Sequence, residues 1–93
     1  MRVDRFLFFI RLLKSRTQAQ GVVEEGHVRI NGRRVVRASD EVAAGSVIAL
    51  PLHGEVRVIR VLSLPARRGP AAEARTHYQE LGSANVSQIS GGD

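Results

Sequence analysis

The chain has 93 residues and a mass of 10.2 kDa, enough for one small domain with a single modest core. At 43% hydrophobic and 25% charged residues it has the balance of a soluble globular domain, which excludes a wholly disordered chain, and no apolar run reaches the roughly 18 residues that would span a membrane. With no cysteine it has no disulfide, thiolate metal site or cysteine nucleophile, which suits a cytoplasmic location, and its net charge of +5 points to an anionic partner.

Asp4, Arg5 and Arg11 bound or follow the apolar run 6–10, so the N-terminus does not read as a secretory signal. Residues 4–14 read as a helix capped by Asp4, with Phe6, Leu7, Phe9, Ile10 and Leu13 on the core face. Phe8 and Leu12 fall on the far side as i,i+4 neighbours beside arginines. Either another element covers them, which is the favoured reading, or they form a small stacking platform for a base.

Residues 15–25 read as a second helix. Ser15 and Gln18 form a capping box, and Ala19, Val22 and Val23 give the apolar stripe. Gly21 weakens the helix by about 1 kcal/mol relative to alanine, and Gly26 stands where a helix-terminating glycine belongs. The turn between the helices carries Lys14, Ser15 and Arg16, a cationic turn suited to phosphate.

After Gly26 the period changes to two. His27-Val28-Arg29-Ile30, then Asn31-Gly32, then Arg33-Arg34-Val35-Val36-Arg37 predict a hairpin whose tip is ringed by arginine. Residues 47–50 predict a third strand, 51–54 a turn and 56–62 a fourth strand. Residues 65–70 break the pattern, Pro70 opens a short helix to about residue 81, and 82–93 read as a disordered tail. The expected organisation is a domain over 1–63, an extension over 64–81 and that tail.

The charge is uneven. Residues 1–37 hold nine basic groups against three acidic ones, a net +6, whereas 38–93 hold five against six, a net −1. All the basic residues but Lys14 are arginine, whose planar fork suits phosphate. The pattern favours a nucleic-acid partner over a merely solvated basic face. Catalysis is hard to build: His27, His53 and His77 read as ordinary surface histidines, Glu24-Glu25 as a solvated helix end, and Ser15 as a cap. No catalytic residue, metal ligand or cofactor is expected.

Arg2-Val3-Asp4-Arg5-Phe6-Leu7, Ser15-Arg16-Thr17-Gln18-Ala19, Glu25-Gly26-His27-Val28-Arg29-Ile30-Asn31-Gly32, and Val42 with Gly45-Ser46-Val47-Ile48 together resemble the S-four RNA-binding domain. Arg67-Arg68-Gly69-Pro70-Ala71-Ala72-Glu73-Ala74 and Tyr78 extend the likeness to small bacterial S-four proteins of the heat-shock and ribosome-quality-control types, over about residues 2–81. The resemblance implies an α+β fold, two N-terminal helices on a small antiparallel sheet with a short C-terminal helix. It implies binding to rRNA and tRNA on large ribosomal subunits that hold peptidyl-tRNA. Carried over by position, the RNA surface comprises Arg2, Arg5, Arg11, Lys14, Ser15, Arg16 and Gln18 from the helical region, with Asn31 holding the hairpin turn and Arg33 and Arg34 beside it; Arg29, from the arginine-ringed hairpin tip, completes the candidate set. Gly45-Ser46 departs from the common glycine-aspartate, Gly21 replaces a larger residue, and the long basic C-terminal extension of some heat-shock relatives is missing.

Read as complete from Met1, the chain is too short for a catalytic domain and is expected to be a monomer. S-four domains also occur fused to pseudouridine synthases and tyrosyl-tRNA synthetases, so an accessory role in RNA modification is one alternative. A nonspecific nucleic-acid binder and a basic domain with a protein partner are the others.

Overall fold

The computed structural model describes residues 1–85. The elements in order are α1 (Val3–Phe9), α2 (Arg16–Glu24), β1 (Val28–Ile30), β2 (Arg33–Val35), β3 (Val47–Leu52), β4 (Glu55–Val61), α3 (Ala71–Ala74), a 3₁₀ turn (Arg75–His77) and β5 (Tyr78–Asn85). The five strands form one antiparallel sheet in the order β2-β1-β3-β4-β5, so the fold is α+β as expected.

The core joins the helices to one face of this sheet. Val3, Phe6, Leu7 and Ile10 meet Ala19 and Val23 of α2 and the inward residues Val28, Ile30, Val35, Ile48, Leu50, Ile59 and Val61. Strand alternation sets the register: on β1 Val28 and Ile30 are buried while Arg29 between them is exposed. Phe9, expected in the core, is only half-buried.

α1 differs from expectation at both ends. Arg2, not Asp4, holds the N-cap position, and it makes no side-chain cap. The first helical amides find distant carbonyls instead: Val3 N–H donates to Asp40 O (2.7 Å) and Asp4 N–H to Ala38 O (3.3 Å). The helix stops at Phe9 rather than running to residue 14, because Arg11 turns left-handed (φ 64°) and Leu13 re-enters the core beyond it.

α2 follows the local signals closely. Ser15 Oγ accepts from Gln18 N–H (3.0 Å), while Gln18 Oε1 reaches back to the Lys14 amide (2.8 Å), one residue before the cap. At the other end Gly26 (φ 82°) donates to Val23 O and His27 to Val22 O, a Schellman ending. Asn31 (φ 53°) and Gly32 (φ 82°) form the two-residue turn of the β1–β2 hairpin, where Ile30 pairs with Arg33.

The later elements depart further. The turn expected over 51–54 is only His53-Gly54, also with two positive φ angles (51° and 81°), and Pro51 and Leu52 belong to β3. Proline is tolerated there because β1 pairs with β3 only at Ile48 and Ala49. The C-terminal helix ends at Ala74, with the 3₁₀ turn after it, and Tyr78–Asn85 is a strand along the whole of β4. That pairing satisfies an edge of backbone groups that β4 would otherwise expose. The first four residues of the expected tail are therefore strand, and its remainder, 86–93, lies outside the described residues.

Candidate nucleic-acid interface

The turn between α1 and α2 brings four of the candidate residues together. Ser15 and Gln18 are occupied with the helix cap, as their hydrogen bonds show. Lys14 and Arg16 are exposed, and their side chains make no hydrogen bond or ion pair among the described residues. The cap thus fixes the backbone on which two unpaired cations stand.

The hairpin brings together a second set. Arg29 and Arg34 are directly opposed across β1 and β2, both on the exposed face. Like charges at that spacing repel, so the pair is better satisfied by an anion than by the protein alone. Arg29 Nη1 donates to Gly32 O (3.2 Å), bracing the turn. The Arg34 stem lies over Gly26, where a methyl group would come within 3.5 Å of Arg34 Cδ. This sets a guanidinium stem against the C-terminal end of α2, where the helix dipole favours positive charge. Arg33 and Arg34 have no hydrogen-bonding or acidic side-chain partner among the described residues.

Asn31 holds the hairpin to the sheet: its amide donates to Val47 O (2.7 Å) and its Oδ1 accepts from Val47 N–H (2.9 Å). With Arg33, Glu41 and Ser46 it lines a polar cleft of about 400 Å³. Arg2 reaches this neighbourhood through its backbone bridge to Glu41.

Arg2, Arg5 and Arg11 stand differently. Arg2 donates from Nε and Nη2 to the two oxygens of Asp4 (3.1 and 3.0 Å), so its charge is largely answered within the protein. Arg5 is exposed, and its side chain is unpaired among the described residues. Arg11 Nε donates to Gly69 O (2.5 Å), which ties this candidate to the segment after β4.

Arg68 was not among the candidates. Its guanidinium lies over the Phe8 ring at 4.5 Å from the centroid, and its Nε donates to Phe8 O (3.0 Å). Phe8 is therefore covered by the segment after β4, and Leu12 packs against the core, so neither forms a free stacking platform. No local pattern announces this contact; residues 8 and 68 meet only through the fold.

Helices on one face of an antiparallel sheet, with unpaired cations on a helix turn and a hairpin, define a small basic α+β domain of the S4 class. The family model for the S4 domain matches residues 1–48, and the chain belongs to that family. It is similar to the heat shock protein 15 homolog of Haemophilus influenzae, 32% identical over 84 residues that cover 90% of this chain and 63% of that one. It is also similar to small ribosomal subunit protein uS4 of Lacticaseibacillus casei, 45% identical over 49 residues, 53% of this chain and 24% of that protein. Among solved structures, the trimeric structure of Vibrio cholerae heat shock protein 15 superposes with a TM-score of 0.82 at 30% identity, covering 97% of this chain and 86% of that one. The chain spans about six-tenths of the length of the curated heat-shock relatives it matches.

Proposed function

We propose that this protein is a non-catalytic RNA-binding factor of the ribosome, acting in the cytoplasm as a single copy. Its target in this reading is a large subunit that still carries peptidyl-tRNA, where rRNA and tRNA phosphates lie close together. The observation that carries the reading is the set Lys14, Arg16, Arg33 and Arg34, exposed and without acidic side-chain partners among the described residues. Such groups neutralise phosphates and set the protein's position, while the rigid helix turn and hairpin fit the shape of folded RNA. The similarity to heat shock protein 15 and to a ribosomal protein supports the ribosome as the place of action.

Pelleting purified protein with empty large subunits, with subunits bearing peptidyl-tRNA, and with free tRNA in solution tests it. The loaded subunits are expected to retain the most protein. Equal binding to all three would leave a nonspecific nucleic-acid binder and overturn the proposed target.

A further inference from the structure

Beside the cationic turn lies an open groove of about 440 Å³, within the range of roughly 300–1,000 Å³ typical of small-ligand sites. One wall is the face of α2 that carries Gln18, Gly21 and Val22, with Glu25 just past the helix end, and the other is the end of the β3–β4 hairpin with Pro51 and His53. Two residues in these walls are not the ones stability alone would select. Gly21 sits inside α2, where glycine weakens the helix. A methyl group there would meet no neighbouring element within 4 Å, so packing does not demand glycine. His53 occupies a left-handed turn position (φ 51°), which histidine tolerates and glycine or asparagine takes more readily still. Gly21 leaves the α2 wall of the groove without a side chain at that position, and His53 brings an imidazole to the opposite wall.

The groove's chemistry matches a nucleobase. Val22 and Pro51 offer apolar surface, and His53 an aromatic face for stacking. Gln18 Oε1 is engaged by the Lys14 amide, which leaves the Gln18 NH₂ group to donate. Glu25 supplies a carboxylate that accepts from ring or exocyclic N–H groups. Guanine presents two adjacent donors, its ring N1–H and its N2 amino group, to a carboxylate and the O6 acceptor to an amide NH₂, whereas uracil has a single ring N–H and no amino group. Lys14 adjoins the groove in sequence, next to the lining residue Leu13, and its backbone amide holds Gln18 Oε1.

We propose that this groove receives one unpaired guanine of the bound RNA, with His53 against the base, Gln18 and Glu25 on its edge and Lys14 on its phosphate. The proposal rests on the RNA-binding reading above and adds a base-selective contact to a phosphate-driven one.

Three RNA stems that differ only in a single bulge, guanosine, uridine or none, test it by fluorescence anisotropy. The wild-type protein is expected to bind the guanosine-bulged stem about tenfold more tightly than the unbulged one, the scale of one base stack. Gly21→Leu fills the groove with a better helix former, and His53→Asn removes the ring while suiting the turn. Each is expected to abolish the guanosine preference and retain binding to the unbulged stem, with circular dichroism showing an intact fold. Equal wild-type affinity for the three stems, or a preference that survives both folded variants, would overturn the groove proposal alone. Failure of the wild-type protein to bind any stem would overturn the RNA reading with it.

Discussion

Asp4 has no exposed surface, and its carboxylate accepts from Arg2, from the Arg5 amide (2.7 Å) and from Gln20 Nε2 (3.3 Å). A buried charge satisfied this fully is a brace between the start of α1 and α2, and losing it strands several donors. Asp4→Ala is expected to lower stability by about 1.5–3 kcal/mol in urea unfolding, the range for hydrogen bonds to a charged group. Ser15→Ala removes the α2 cap and is expected to cost about 0.5–2 kcal/mol. Arg16→Ala, one residue on, has no partner to lose among the described residues; its melting temperature should stay close to wild type while RNA affinity falls. A large loss of stability in Arg16→Ala would show that the turn's cations are structural. Ser15 and Gln18 were legible in the sequence because a capping box is local. Asp4 was misplaced by two positions, since its partners Arg2 and Gln20 and the carbonyls that cap α1 are assembled by the fold.

At the scale of elements, residues 68 and 69 form a reciprocal clamp with α1. Arg11 donates to Gly69 O, and Arg68 donates to Phe8 O and stacks on the Phe8 ring. Phe8 O is an end carbonyl of α1, which has no basic residue in its own last turn. Arg68 supplies that positive charge from 60 residues away. Arg68→Ala is expected to destabilise the fold by about 1–2 kcal/mol, from a cation–π contact and a charge-assisted hydrogen bond together. A double-mutant cycle with Phe8→Leu should return a coupling of about 0.5–1 kcal/mol; additive effects would mean the stack contributes nothing. Because Arg11 is part of this clamp, a substitution there disturbs the attachment of residues 68 and 69 as well as any RNA contact. α2 and the β1–β2 hairpin were readable because capping box, terminating glycine and Asn-Gly turn each act over a few residues. β5 was not, because residues 78–81 continue a helix-compatible stretch, and only the open edge of β4 makes strand the better state.

For the whole molecule, the nine basic residues behind the net +6 of residues 1–37 are resolved by the fold into two kinds. Arg2, Arg11 and Arg29 have hydrogen-bond partners within the protein, whereas the other six are exposed and unpaired among the described residues: Lys14, Arg16, Arg33 and Arg34 on the helix turn and the hairpin, with Arg5 and Arg37 outside that set. Composition alone predicted a basic face but could not make that division, which depends on where Asp4 and the carbonyls of Gly32 and Gly69 come to lie. The most direct test of the claim that the unpaired set binds RNA phosphate is the salt dependence of binding to a structured ribosomal RNA fragment. Wild-type affinity should fall linearly on a log–log scale, by roughly 0.7–0.9 units of slope per phosphate neutralised, and the slope of an Arg16→Ala/Arg34→Ala double variant should be shallower by about 1–2 units. A wild-type slope near zero, or a double variant with the wild-type slope, would contradict it.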